Sequence, residues 1–201
     1  MLKLKYGAIL ILALVWLTGC AVADLHLKPD YKAFGEPKNA SGSIILVSPA
    51  DATMQGGAGQ IQWIIGDVKN SDGKVRGNVV TQTATVALVQ DALKQELSRA
   101  GYNVQIAGLI PQGAEQALVL TAVKLHLDEI SNLLKMESDC RVSFSIEIWK
   151  KGAKVNTLSY ESRYSDFAIK DRDKLHQTVM QKALESALRR AVPELIKVIS
   201  G

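Results

Sequence analysis

Leu17-Thr18-Gly19-Cys20 sets a cysteine directly behind an apolar and two small residues. This is the pattern of a lipobox, where bacteria attach lipid to the cysteine and cut the chain just before it. The preceding residues fit: Lys3 and Lys5 make a basic start, and Tyr6 to Trp16 form an uncharged apolar run of eleven residues. Such a run is shorter than the roughly 20 residues that cross a bilayer core, and it ends in small residues at a cleavage site. An uncleaved transmembrane anchor and a plain secretory signal are the competing readings. On the lipobox reading, residues 1–19 are a signal peptide and Cys20 is the lipid attachment site. Several acyl chains then hold the protein to a membrane stably, because each buried CH₂ contributes about 0.8 kcal/mol.

The other residues capable of chemistry form weaker sets. His126 and Asp128 fall on one side of a strand and Glu129 on the other. Two ligands are fewer than the four of a closed zinc site or the three of a catalytic one, so a solvated strand face is expected. His176 and His26 have no cysteine or carboxylate at ligand spacing, and no metal or other cofactor is expected. Cys140 would be the single thiol left after lipidation. It alternates with Val142, Phe144 and Ile146, so it should behave as a small buried hydrophobe rather than as a nucleophile, which needs an exposed thiolate near a base. Gly56-Gly57-Ala58-Gly59 lacks the register of a phosphate-cradling loop and leads into strand-like residues. No Gly-x-Ser-x-Gly elbow is present, and no enzyme is expected.

The elements that would position these residues read as follows. Ser43 to Ser48 is a continuous apolar run that fits a central strand, ended by Pro49-Ala50-Asp51. A second strand spans Gln60 to Val68, followed by the turn cluster Lys69-Asn70-Ser71-Asp72-Gly73. Val86, Val89, Leu93, Leu97 and Ala100 recur at helical spacing, with Gln90, Asp91, Lys94, Gln95 and Arg99 opposite and Gly101 as terminator. A short strand near Tyr102 to Ala107 comes next. Val119, Val123, Leu125 and Leu127 are assigned to one strand face. Cys140 to Ile148 alternates without a break, its polar row closing on Trp149. Lys150-Lys151-Gly152-Ala153 reads as a hairpin turn before a strand reaching about Phe167. A final helix starts near Asp171 or Asp173, with a kink or restart expected at Pro193.

The predicted order is β-β-α-β-β-β-β-α. It implies an α+β fold: a two-layer sandwich of a mainly antiparallel sheet with two main helices packed on one face. Residues 20–42, with Pro29, Gly35, Pro37 and Gly42, read as the lipidated cysteine and a flexible tether. Leu25, Leu27, Tyr31 and Phe34 within it could instead lie on the domain, which spans residues 43–201.

The chain resembles the YajG family of bacterial lipoproteins. The resemblance rests on the lipobox, on Val47-Ser48-Pro49-Ala50-Asp51 closing the first strand, and on Ile65-Gly66-Asp67-Val68-Lys69-Asn70. It continues in Leu97-Ser98-Arg99-Ala100-Gly101-Tyr102-Asn103-Val104 and in the meander and closing helix. After Asp51, where relatives often carry an arginine, this chain has Ala52-Thr53. The resemblance implies a periplasm-facing lipoprotein whose biochemical role is uncharacterised, and it transfers no catalytic residue.

Three functions compete. The first is a non-catalytic accessory subunit of an envelope transport or assembly system, with a protein partner contacted through Trp149, Tyr160 and Tyr164. The second is a small-ligand or lipid-binding envelope protein. The third, a hydrolase, lacks a recognisable residue set. The net charge of +4 drops to +2 once Lys3 and Lys5 leave with the signal, and a secreted chain excludes nucleic acid as partner. Ala21 and Val22 follow the cysteine instead of Asp. By resemblance to the enteric sorting rule, that implies the periplasmic face of the outer membrane in a Gram-negative source.

Overall fold

The computed structural model describes residues 24–35, 40–48, 62–132 and 134–201. Cys20, Pro49-Ala50-Asp51 and Gly56-Gly57-Ala58-Gly59 lie outside the described residues. Eight strands and two helices are described: β1 (Leu25–Leu27), β2 (Ser43–Val47), β3 (Trp63–Asn70), β4 (Val75–Thr81), α1 (Thr85–Arg99), β5 (Asn103–Ala107), β6 (Gln116–Ser131), β7 (Met136–Lys150), β8 (Ala153–Ala168) and α2 (Arg172–Ser200).

The α+β reading holds, but the sheet is mixed and curled instead of a mainly antiparallel layer. Antiparallel ladders join β3 to β4 and run through the meander β6–β7–β8. Parallel ladders join β1 to β4, β2 to β5, β2 to β6 and β3 to β6. The long strand β6 makes this possible. Its first half pairs with β2, its last residues pair with β3 on the same edge, and β7 covers the other edge. Between the two halves the ladder to β7 skips from Thr121 to Lys124, and Ala122 takes a φ of 50°. Such a bulge adds residues to one strand and reverses which side chains face inward. Leu118 and Leu120 are therefore buried before it and Leu125, Leu127 and Glu129 after it. Val119, assigned from sequence to the row of Leu125 and Leu127, belongs to the other face.

Two strands escaped the sequence reading. β4 returns beside β3 after the Ser71–Gly73 turn, and β1 adds three residues to its free edge. The hairpin between β7 and β8 is as expected. Lys151 and Gly152 both take positive φ (48° and 80°), the pair of values a type I′ turn requires.

Core packing follows the two periodicities. β7 presents Cys140, Val142, Phe144, Ile146 and Ile148, all buried, to α2. From α2 come Leu175, Val179, Ala183, Leu184, Ala187, Leu188 and Ala191. The alanines let the helix approach the sheet closely. α1 packs on β6, β5 and α2 with Leu88, Val89, Leu93 and Leu97; Gln90, placed on its wet side from sequence, is buried. Helix α2 continues through Pro193 as one element, so no restart occurs there.

The segment from Asp24 to Gly35 lies down on the domain. Leu25, Leu27 and Tyr31 are buried, and Phe34 packs against the core. Glu96, itself buried, holds it: the Tyr31 hydroxyl donates to Oε1 at 2.7 Å, and the backbone N–H groups of Phe34 and Gly35 donate at 2.9 and 3.2 Å. Burial and the neighbouring Glu96 carboxylate push the Tyr31 phenol far above its usual pKa.

Candidate functional site

The strand β6 carries polar groups on both of its faces, and they form two separate sets. On the outer face, the register that pairs Val68 with Glu129 sets Asp67 of β3 beside Asp128 of β6. This requires β3 to approach closely at Gly66, where a Cβ would sit 1.7 Å from the Leu127 carbonyl oxygen. Lys69 Nζ lies 2.8 Å from Asp128 Oδ1 and 3.7 Å from Asp67. His126 Nε2 lies 3.0 Å from the same Asp128 oxygen. The neighbouring strands add Arg141, which reaches Asp128 and Asp139, and Arg163, whose Nε donates to Asp139 at 2.6 Å.

Burial alone would raise the Asp128 carboxyl, but hydrogen bonds from Lys69 and the proximity of His126 hold it below the usual range. The hydrogen bond to Asp128 in turn raises Lys69. Asp67, His126 and Asp128 bring ligand atoms within 4.8 Å of one another. The ammonium of Lys69 already supplies the positive charge in that cluster, and a cation would have to displace it. The charges border an open hollow of about 520 Å³ whose walls include Asp128, Asp139, Arg141, Arg163 and Phe167. Paired in this way, they present a polar face of nearly cancelled charge.

The inner face holds a set that the sequence reading missed. Glu129 and His176 are fully buried and Ser138 nearly so. His176 Nε2 lies 2.6 Å from Glu129 Oε2, and His176 Nδ1 lies 3.0 Å from Ser138 Oγ. Arg172 grips the carboxylate with Nε at 2.6 Å and Nη2 at 2.8 Å, and Ser131 donates at 2.6 Å. Burial pushes the Glu129 carboxyl up, yet the hydrogen bonds from His176, Arg172 and Ser131 outweigh it and bring it down to about 2. An ionised carboxylate only accepts, so Nε2 of His176 carries the hydrogen toward it. Serine, histidine and carboxylate in a row are the parts of a nucleophilic triad. Here Ser138 is 2 % exposed and Arg172 occupies the acid, so the set braces α2 against β6 and β7. A signal for it existed: Glu129 is in phase with the apolar Leu125 and Leu127, and a carboxylate in a core row demands donors.

Cys140 is fully buried, and burial followed by the nearby Asp139 charge pushes its thiol up to about 12. Trp149 is half-buried at the far end of β7, its indole N–H donating to Glu147 at 3.1 Å. Tyr160, named from sequence as a contact residue, belongs to the core: its ring lies 5.7 Å from that of Phe144, and its hydroxyl donates to Glu194 at 2.9 Å. Tyr164 packs partly against the core. None of the described helices is long and apolar enough to cross a membrane.

No protein-family model matches the chain, and no curated protein does. Among solved structures, a DUF330 protein from Xanthomonas campestris is similar with a TM-score of 0.52 at 9% identity, over 87% of this chain and 95% of that one. A minor lipoprotein from Acinetobacter baumannii scores 0.39 at 12% identity, over 76% of this chain and 91% of the other. Rare lipoprotein B from Shewanella oneidensis scores 0.35 at 12% identity, over 66% and 97%. The first of these similarities is one of fold: the chain shares the mixed-sheet α+β architecture of the Xanthomonas protein.

Proposed function

We propose that this protein is a lipid-anchored envelope lipoprotein of the kind the YajG resemblance implies, acylated at Cys20 and facing the periplasm from the outer membrane. It serves there as a non-catalytic accessory or binding subunit of an envelope transport or assembly system. The observation that carries the reading is Leu17-Thr18-Gly19-Cys20 behind a basic start and an eleven-residue apolar run. Two features support a binding role over catalysis: the outer-face charges are paired with one another, and the serine–histidine–glutamate set is sealed in the core. Trp149, half-buried at the end of the polar row of β7, is an aromatic side chain that a partner could contact there, since aromatics dominate interface energetics.

The small-ligand alternative would use the apolar hollow under the helices, which measures about 210 Å³ between Phe34, Gly35, Leu188, Val192 and Ile196. Ligand pockets usually measure about 300–1,000 Å³, so the hollow is too small to favour that reading. In-cell crosslinking of the full chain, with mass spectrometry and a Cys20→Ser control, tests the proposal. A discrete envelope protein captured only by the anchored form is expected. A membrane-bound protein that captures no partner would count against the accessory role.

A further inference from the structure

One end of the sheet is apolar and open to solvent. The β6–β7 turn, the end of β8 and the β3–β4 turn meet there. Leu134 is 82 % exposed, Phe167 62 % and Ile169 80 %. Together with Ser71 and Lys135 they border a single hollow. Lys135 sits over the Phe167 ring, 5.7 Å from its centre, and pairs with Glu137. Asp72, Lys74, Lys170 and Asp171 are exposed in the adjoining turns. Large apolar side chains clustered on a soluble surface mark a contact with another phase or molecule.

Chain geometry selects the occupant. β1 runs parallel to β4, and Asp24, just before it, accepts hydrogen bonds from the Asn78 backbone and side chain at 2.9 and 3.2 Å. The strand β4 starts at Val75, at the apolar end, so the chain enters β1 from that same end. The row of Asp24 and Asn78 lies three residues from Val75, or about 10 Å. Only Ala21, Val22 and Ala23 separate Cys20 from Asp24. Fully extended, that stretch spans at most about 14 Å. Cys20 can therefore reach the level of the sheet end that carries Leu134, Phe167 and Ile169, although β4, β3, β6 and β7 stand between β1 and β8.

We propose that this end rests on the bilayer that holds the anchor, with Leu134, Phe167 and Ile169 inserted into its interfacial layer. The proposal rests on lipidation of Cys20. It also orients the domain. Trp149 lies 13 residues along β7 from Met136, about 40 Å from the membrane-facing end, so the Trp149 end projects into the periplasm toward a partner.

The test uses the full lipidated protein in vesicles of phosphatidylethanolamine and phosphatidylglycerol containing a nitroxide-bearing lipid. An environment-sensitive fluorophore is placed on Leu134→Cys or, at the opposite hairpin, on Lys151→Cys. Both sites are exposed, and the native Cys140 is buried. Loss of most of the fluorescence at residue 134 and none at residue 151 is expected. If the protein floats with the vesicles yet both labels stay equally wet, the bilayer contact is overturned and the anchor stands. If residue 134 is shielded from an aqueous quencher but not reached by the lipid nitroxide, a protein covers the patch and the proposal is likewise overturned. If the protein does not float, and Cys20→Ser behaves identically, the anchor falls and the bilayer contact with it.

Discussion

His176 Nε2 lies 2.6 Å from Glu129 Oε2, and neither side chain is exposed. The pair joins the first turns of α2 to the last residues of β6, across 47 positions of chain. Arg172 closes the other side of the carboxylate, so the charge has three side-chain neighbours and no water-facing edge. Removing the carboxylate leaves the buried His176 N–H without its acceptor, a loss that typically costs about 1–3 kcal/mol. Glu129→Ala should lower stability by about that amount in denaturant unfolding.

The same carboxylate predicts a pH dependence. In the unfolded chain Glu129 should protonate near 4.5, and in the folded protein near 2. The ionised form therefore contributes stability fully above pH 4.5, and that contribution disappears as pH falls toward 2. Other carboxylates add their own slopes. The contribution of Glu129 is the difference between wild type and Glu129→Gln: the wild-type stability curve should fall more steeply through this window. Parallel curves would assign the acid sensitivity elsewhere.

Gly66 lies where β3 runs directly against the Leu127 backbone of β6. A methyl group there would overlap the Leu127 carbonyl oxygen at 1.7 Å, and backbone cannot yield as a side chain can. Gly66→Ala should destabilise the fold by about 3 kcal/mol or more, beyond the common range for overpacking. Hydrogen exchange should quicken first in Val68, Lys69 and Asn70, which pair with β6. An unchanged unfolding midpoint would rule out that approach.

Tyr31 and Glu96 hold the Asp24–Gly35 segment to the helices. Tyr31→Phe removes one donor from a buried carboxylate, a loss of about 1–3 kcal/mol, while Glu96→Ala removes the acceptor for all three donors. Limited proteolysis should cut between residues 24 and 35 faster in Tyr31→Phe and faster still in Glu96→Ala. Equal cutting in both variants and wild type would mean that Glu96 does not secure the segment.

The Cys140 thiol is fully buried and held near 12. A thiol reagent at pH 8 should leave the folded protein unmodified and react with one thiol after unfolding of the lipidated form. Rapid reaction in the folded state would show that β7 and α2 separate.

Much of this architecture is legible in residue spacing, for reasons that also mark where legibility ends. Alternation from Cys140 to Ile148 and the helical stripe ending at Ala100 report one apolar face each, and both are found buried apart from the partly covered Val86. β1 and β4 are invisible to that test, since Leu25–Leu27 is three residues long and is stabilised by a partner 54 positions away. The bulge at Ala122 carries no proline or glycine to announce it, yet it reverses the facing of everything before Leu125. The outer-face pairing of Asp67 with Asp128, and the inner meeting of Glu129 with His176, depend on how strands register. Spacing within one segment cannot report a partner from another.

The central claim is the lipid on Cys20, and the N-terminal peptide of protein purified from membranes tests it most directly. Mass spectrometry should find a chain starting at Cys20, with residues 1–19 absent and the added mass of acyl groups on that residue. A chain that retains residues 1–19, or one that starts at an unmodified Cys20, would contradict the account.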